Sequence, residues 1–116
     1  MGRAIAGLIG LLVASHAGAV TTGTDLLKYC SEAETTATFD SGVCSGYVGA
    51  IADLMSNYPF AGLQACFPID ATRDEFVKVS VRHLREHPGL LHLSAYTNVV
   101  SALLLAYPCK GSSNHW

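Results

Sequence analysis

"VRHLREHPGLLH", residues 81–92, admits two readings that lead to different folds. In the first, His83, Glu86 and His87 form His-x-x-Glu-His, a spacing at which two histidines hold zinc and the glutamate activates water. In the second, the stretch is the end of one helix and the turn into the next. The residue before a proline disfavours helical geometry, so Pro88 and Gly89 would stop a helix near His87. One reading makes a hydrolase, the other an all-α domain.

The ligand count decides between them. Histidines four apart share a helix face, but a catalytic zinc takes three protein ligands. The inverted zincins draw their third from a downstream glutamate, and no Asp or Glu follows Glu86 in this chain. His92 lies beyond the Pro88-Gly89 break. Cationic side chains also suit the negative end of a helix dipole. His83 and His87 are therefore read as helix-end residues on the solvent side, with no metal assigned.

Working outward, Thr72-Arg73-Asp74-Glu75 is a capping box, in which the threonine hydroxyl and Glu75 each satisfy the other's backbone N–H. It opens a third helix running to His87. Phe76, Val77, Ser80, Val81 and Leu84 form its inward stripe, and Lys78, Arg82, Arg85 and Glu86 face water. A fourth helix is expected from His92 or Leu93 to Tyr107, where Pro108 ends it. Being apolar almost all round, it belongs at the centre of a bundle.

Upstream, the Pro59, Gly62 and Pro68 breakers make "SNYPFAGLQACFPID" a long loop. A second helix is expected from about Asp40 to Asn57, with Val43, Cys44, Tyr47, Val48, Ile51, Leu54 and Met55 recurring at spacings of three and four. It also carries Gly42, Gly46 and Gly49. Interior glycine costs a helix about 0.5–1 kcal/mol relative to alanine, so these three are read as a smooth side against which the first helix packs. That first helix runs from about Thr24 to Ala33, capped by Gly23 or Thr24.

The first 19 residues, "MGRAIAGLIGLLVASHAGA", carry one arginine, an apolar run and an Ala-x-Ala end. That is the order of a cleaved secretory signal peptide, and the run is broken at Ser15-His16 before it reaches the roughly 20 residues of a membrane span. Residues 20–116 then form one small domain of 97 residues, with six basic against nine acidic side chains, net −3. This balance argues against nucleic acid and against an anionic membrane surface as partner.

All four cysteines, Cys30, Cys44, Cys66 and Cys109, lie in the exported part. An even count in a small secreted chain reads as disulfides, and no C-x-x-C pair supports zinc. A connection of about four residues would set the third and fourth helices antiparallel. Cys66, before the one, then meets Cys109, after the other. By the same geometry Cys30 meets Cys44. The two loops are worth about 3 and 4 kcal/mol in the chain-entropy model, comparable to the stability of a small domain.

No other chemistry stands out. Gly42-Val43-Cys44-Ser45-Gly46 has the spacing of a nucleophile elbow, but an elbow sits on a strand-to-helix turn, and Cys44 is inside a helix pattern. No phosphate-cradling glycine loop or acid/base carboxylate pair is present. The residues describe a non-enzymatic, cofactor-free helical domain whose resource is its surface.

Five segments in series resemble the Rap/Tai family of immunity proteins: "GTDLLKYC" (23–30), "CSGYVGAIAD" (44–53), "CFPIDATRDEFVKV" (66–79), "HLREHPGLLHLSA" (83–95) and "ALLLAYPC" (102–109). The resemblance implies a periplasmic all-α domain of four to five helices with two disulfides. It also implies a partner, a peptidoglycan amidase effector of type VI secretion whose cleft the protein blocks, and self-association as a homodimer. In the family His87-Pro88 closes one helix, and His92 and Ala95 begin the next. Exposure of the loops between helices points to Asn57, Tyr58, Phe60, Gln64, Glu86, His87 and His92 as contact residues. Two other classes stay open: an acid-stress chaperone like the HdeA proteins, using the histidines of the exported chain, and a lipid-carrying four-cysteine bundle.

Overall fold

A computed structural model describes residues 20–33, 38–57 and 62–109, and these form an all-α domain. The helices are α1 (Gly23–Ala33), α2 (Phe39–Asn57), α3 (Arg73–Glu86) and α4 (Ala95–Ala106), with a 3-10 turn at Pro88–Leu90. The expected signal peptide, residues 1–19, lies outside the described residues, as do Tyr58, Phe60 and everything after Cys109. Both expected disulfides are present, Cys30–Cys44 and Cys66–Cys109, each with Cα atoms 4.9 Å apart.

The Cys66–Cys109 bond ties the approach to α3 to the exit of α4. Around it Phe67, Phe76 and Tyr107 form a ring cluster, with centroids 4.4 Å apart for Phe67–Phe76, 5.1 Å for Phe67–Tyr107 and 5.5 Å for Phe76–Tyr107. The Cys66 N–H donates to the Tyr107 carbonyl at 2.9 Å. Thr72 caps α3 through the expected box with Glu75. Between these helices and α1 and α2 lies the core, in which Leu26, Cys30, Cys44, Val48, Leu84, Val99 and Leu103 have no exposed surface.

Two helix starts differ from the sequence expectation, and for one reason. Helix α1 is capped by Thr22, not Gly23 or Thr24. Its hydroxyl accepts from the Asp25 N–H at 3.2 Å, and Asp25 reaches back to the Thr22 N–H at 3.0 Å. Helix α4 begins at Ala95 behind the cap Ser94, so the connection from α3 spans residues 87–94 and is about twice the expected length. Chain that would have extended α4 is instead paired with the start of α1. Gly23 N–H donates to the Leu93 carbonyl (2.9 Å), Thr24 N–H to Leu91 (3.1 Å) and Ala95 N–H to Thr21 (2.7 Å). The first N–H groups of a helix have no partner within it. Here a distant segment supplies the acceptors.

Asn98 seals this junction. It is buried, and its Nδ2 donates to the Leu90 carbonyl at 3.0 Å and the Ser94 carbonyl at 3.1 Å. A side chain at position 23 would collide with it, since a Cβ there would lie 2.8 Å from Asn98 Nδ2 and 3.0 Å from the Leu91 carbonyl oxygen.

The α2 glycines do something other than expected. A Cβ on Gly42 or Gly46 would meet nothing within 4 Å, so neither receives α1. Gly49 does carry a close contact, but with the Arg73 side chain at the start of α3, 2.6 Å from the place of its missing Cβ. On the same helix Leu54, expected inside, is 45% exposed, and Ala52 is buried in its stead. A small residue suffices where α2 lies close to its neighbours.

These environments separate two identical substitutions. Gly46→Ala, in open helix interior, should raise stability by about 0.5–1 kcal/mol. Gly23→Ala should lower it by about 1–3 kcal/mol, the range for overpacking a filled site. Urea denaturation of both variants with disulfides intact checks the opposite signs.

Candidate protein-binding face

His83 and His87 do not sit together on the solvent side, as their helix-end position suggested. His83 is only 8% exposed. Its ring lies at a pocket of about 200 Å³ walled by Val79, Arg82, Glu86 and His87 and, from α4, by Ala102, Leu105 and Ala106. The two alanines leave room for a ring that larger α4 side chains would have pushed into water. His87 is half-buried, donates from Nδ1 to the His83 carbonyl at 2.8 Å, and stacks its ring on that of His83 at 4.2 Å between centroids.

Stacking settles what the pair can do. Imidazole lone pairs lie in the ring plane, so two rings 30° from parallel do not aim their nitrogens at one ion. His83 Nε2 is buried and without a hydrogen-bond partner. No group of three or more His, Cys, Asp or Glu among the described residues is placed to hold a metal. Cys44, the centre of the elbow-like spacing, is inside α2 and bonded to Cys30.

The surface has more to offer. Leu105 on α4 is 69% exposed and stands between the histidine pocket and an open apolar groove of about 410 Å³. Leu63, Tyr96, Val100 and Leu104 line that groove, with Thr97 and Ser101 at its polar edge. The predicted contact residues distribute around it unevenly. Glu86 and His87 border the histidine pocket, and the exposed Gln64 follows Leu63 of the groove. His92 is exposed but lines neither. Asn57 closes α2, while Tyr58 and Phe60 fall outside the described residues.

Two exposed residues at the mouths of surface cavities escaped the sequence reading. Leu105 was hidden because α4 is apolar nearly all round and its free side has no polar marker. Ile69 was hidden inside a long loop. It is fully exposed, at the tip of a turn closed by the Ala71 N–H donating to the Pro68 carbonyl at 3.0 Å. Its supports are rigid, with the Cys66 disulfide and the Phe67 ring on one side and the α3 capping box on the other. Beside it Asp53, Ser56, Phe67 and Ala71 line a shallow cavity of about 270 Å³. An apolar residue between proline and aspartate, just after a cysteine, was the signal available.

Among the described residues no helix is long and apolar enough to cross a membrane. A family model described as Rap1a immunity proteins matches residues 22–109. The matched segment opens at the α1 cap and closes at the last cysteine, so it covers the whole helical unit. No curated protein and no solved structure matches the chain.

Two groups give the stability an acid limit. Burial, with a smaller push from His87 and opposed by Glu86, holds the His83 pKa below its usual 6.5. The unfolded chain then takes up this proton before the folded chain does. Stability from His83 is therefore whole above about pH 6.5 and falls with pH until the folded-state pKa is passed. The Asp25 carboxyl is held below its usual 3.8, first by the Thr22 N–H and then by the Thr22 side chain, so its contribution is lost only at more acid pH. Melting temperature against pH should fall in two stages, and His83→Met should remove the upper one.

Proposed function

We propose, because the chain belongs to the Rap1a immunity protein family, that it acts in the periplasm after signal cleavage. There it would bind and inhibit a peptidoglycan amidase effector of type VI secretion. An immunity protein neutralises a protein partner by contact. Among the described residues the surface supplies exposed apolar contact at Ile69, at Leu105 and in the groove beside it. The amidase reading follows from the family resemblance of the five segments. It agrees with the signal-like residues 1–19, which point to the compartment that holds peptidoglycan.

The observation that carries the reading is the Ile69 turn. A cleft is best blocked by a group already in its bound shape, because ordering a mobile loop on binding costs affinity. Ile69 projects into solvent from a turn fixed by a disulfide, a ring cluster and a capping box. Asp70 beside it adds a charge at the rim. We assign Ile69 to the amidase cleft, and the apolar groove with Leu105 to a second copy of the chain. Glu86 and His87 lie across Leu105 at the histidine pocket, and Gln64 is next to Leu63.

The assignment separates two variants. Ile69→Asp should weaken amidase inhibition at least about 30-fold, the ~2 kcal/mol typical of an interface hot spot, and leave self-association unchanged. Leu105→Asp should do the reverse. Peptidoglycan hydrolysis by an amidase captured with the oxidised chain from the periplasm, titrated with each oxidised variant, reads the first effect, and sedimentation reads the second. If the unmodified protein leaves that amidase fully active, the amidase reading is wrong. If Ile69→Asp inhibits as well as the parent, the cleft lies against another part of the surface.

A further inference from the structure

We propose that the His83–His87 stack is an acid-sensitive latch that fastens the end of α3 to α4, closed at neutral pH and loosened in mild acid. His87 is held on the turn beneath His83 by its bond to the His83 carbonyl, and the two rings are in van der Waals contact at 4.2 Å. That arrangement suits two neutral rings, or one neutral and one charged. It does not suit two cations, which repel at this distance across a half-dry pocket.

The surroundings give little relief. From α4 the stack faces Ala102, Leu105 and Ala106, none of which can accept a proton or a hydrogen bond through its side chain. From α3 itself it faces Arg82, which adds positive charge, and Glu86, the one carboxylate at the pocket. Glu86 is exposed, so water screens it. His83 Nε2 is buried without a hydrogen-bond partner, so the protonated ring, with an N–H on both nitrogens, has a buried donor that nothing accepts. A buried charge without a hydrogen bond is relieved by exposing it, and exposure here means that the ring leaves the α4 wall.

What moves is defined by the chain. His83 and His87 are followed directly by the 3-10 turn and residues 91–94, whose carbonyls hold the start of α1. Loosening the stack therefore frees the end of α3 and the connection, and removes one wall beside Leu105. The α2 core, closed by the Cys30–Cys44 bond, is not part of this path.

The latch concerns the chain alone and does not depend on what it inhibits. Amide hydrogen exchange of the oxidised protein, corrected for the pH dependence of the chemical step, tests it. Between about pH 7.5 and 5.5, where histidines change charge, peptides covering residues 79–94 and 101–106 should gain roughly tenfold in exchange. Peptides from residues 43–55 should not. His83→Met should abolish the gain, and His87→Gln, at a half-exposed position where folding is not at risk, should reduce it. Corrected exchange in residues 79–94 that does not change with pH would overturn the latch. So would a His87→Gln variant responding as fully as the parent.

Discussion

The clamp between the approach to α3 and the exit of α4 is the constraint on which both exposed surfaces depend. Cys66 and Cys109 are 43 residues apart in sequence, and their bond closes the largest loop of the domain. A covalent closure of that span removes about 4 kcal/mol of freedom from the unfolded chain in the entropy model. The Phe67, Phe76 and Tyr107 rings pack beside it and convert a point link into a fixed orientation. One product is a stiff base for the Ile69 turn, which begins two residues after Cys66. The other is a fixed α4, whose free side presents Leu105 and the apolar groove.

A second junction, at the other end of α4, sets where helices begin. Residues 21–24 lie along residues 91–95, exchanging backbone hydrogen bonds that neither segment could satisfy alone. Glycine at position 23 is required because backbone and Asn98 occupy the place of a side chain. The chain thus holds itself together at two places far apart in sequence, with the α1–α2 disulfide as a third. For a domain of about a hundred residues, with a modest core, such ties carry much of the stability.

The histidines illustrate how a motif can be present without its chemistry. Spacing by four residues places two rings on one helix face, which is as much as the sequence can say. Whether they converge on an ion, project into water or stack on each other depends on the helix packed opposite. Here that helix offers alanines and a leucine, so one ring is drawn into the contact and the other lies on it. The result is a titratable contact between two helices.

Much of this molecule was legible in its residues. Capping chemistry at Thr72 and Glu75, the breaker Pro88 and the apolar periodicities determined four helices, because each acts within one or two turns of chain. Cysteine count and helix order determined the two disulfides, because consecutive helices packed antiparallel bring the two cysteines of each pair side by side. Other features answered to contacts between distant segments. The cap at Thr22, the late start of α4, the partner of Gly49, the burial of His83 and the exposure of Leu54, Leu105 and Ile69 all depend on what lies across from them. A local pattern states which groups need a partner, and only the tertiary structure decides which segment supplies it.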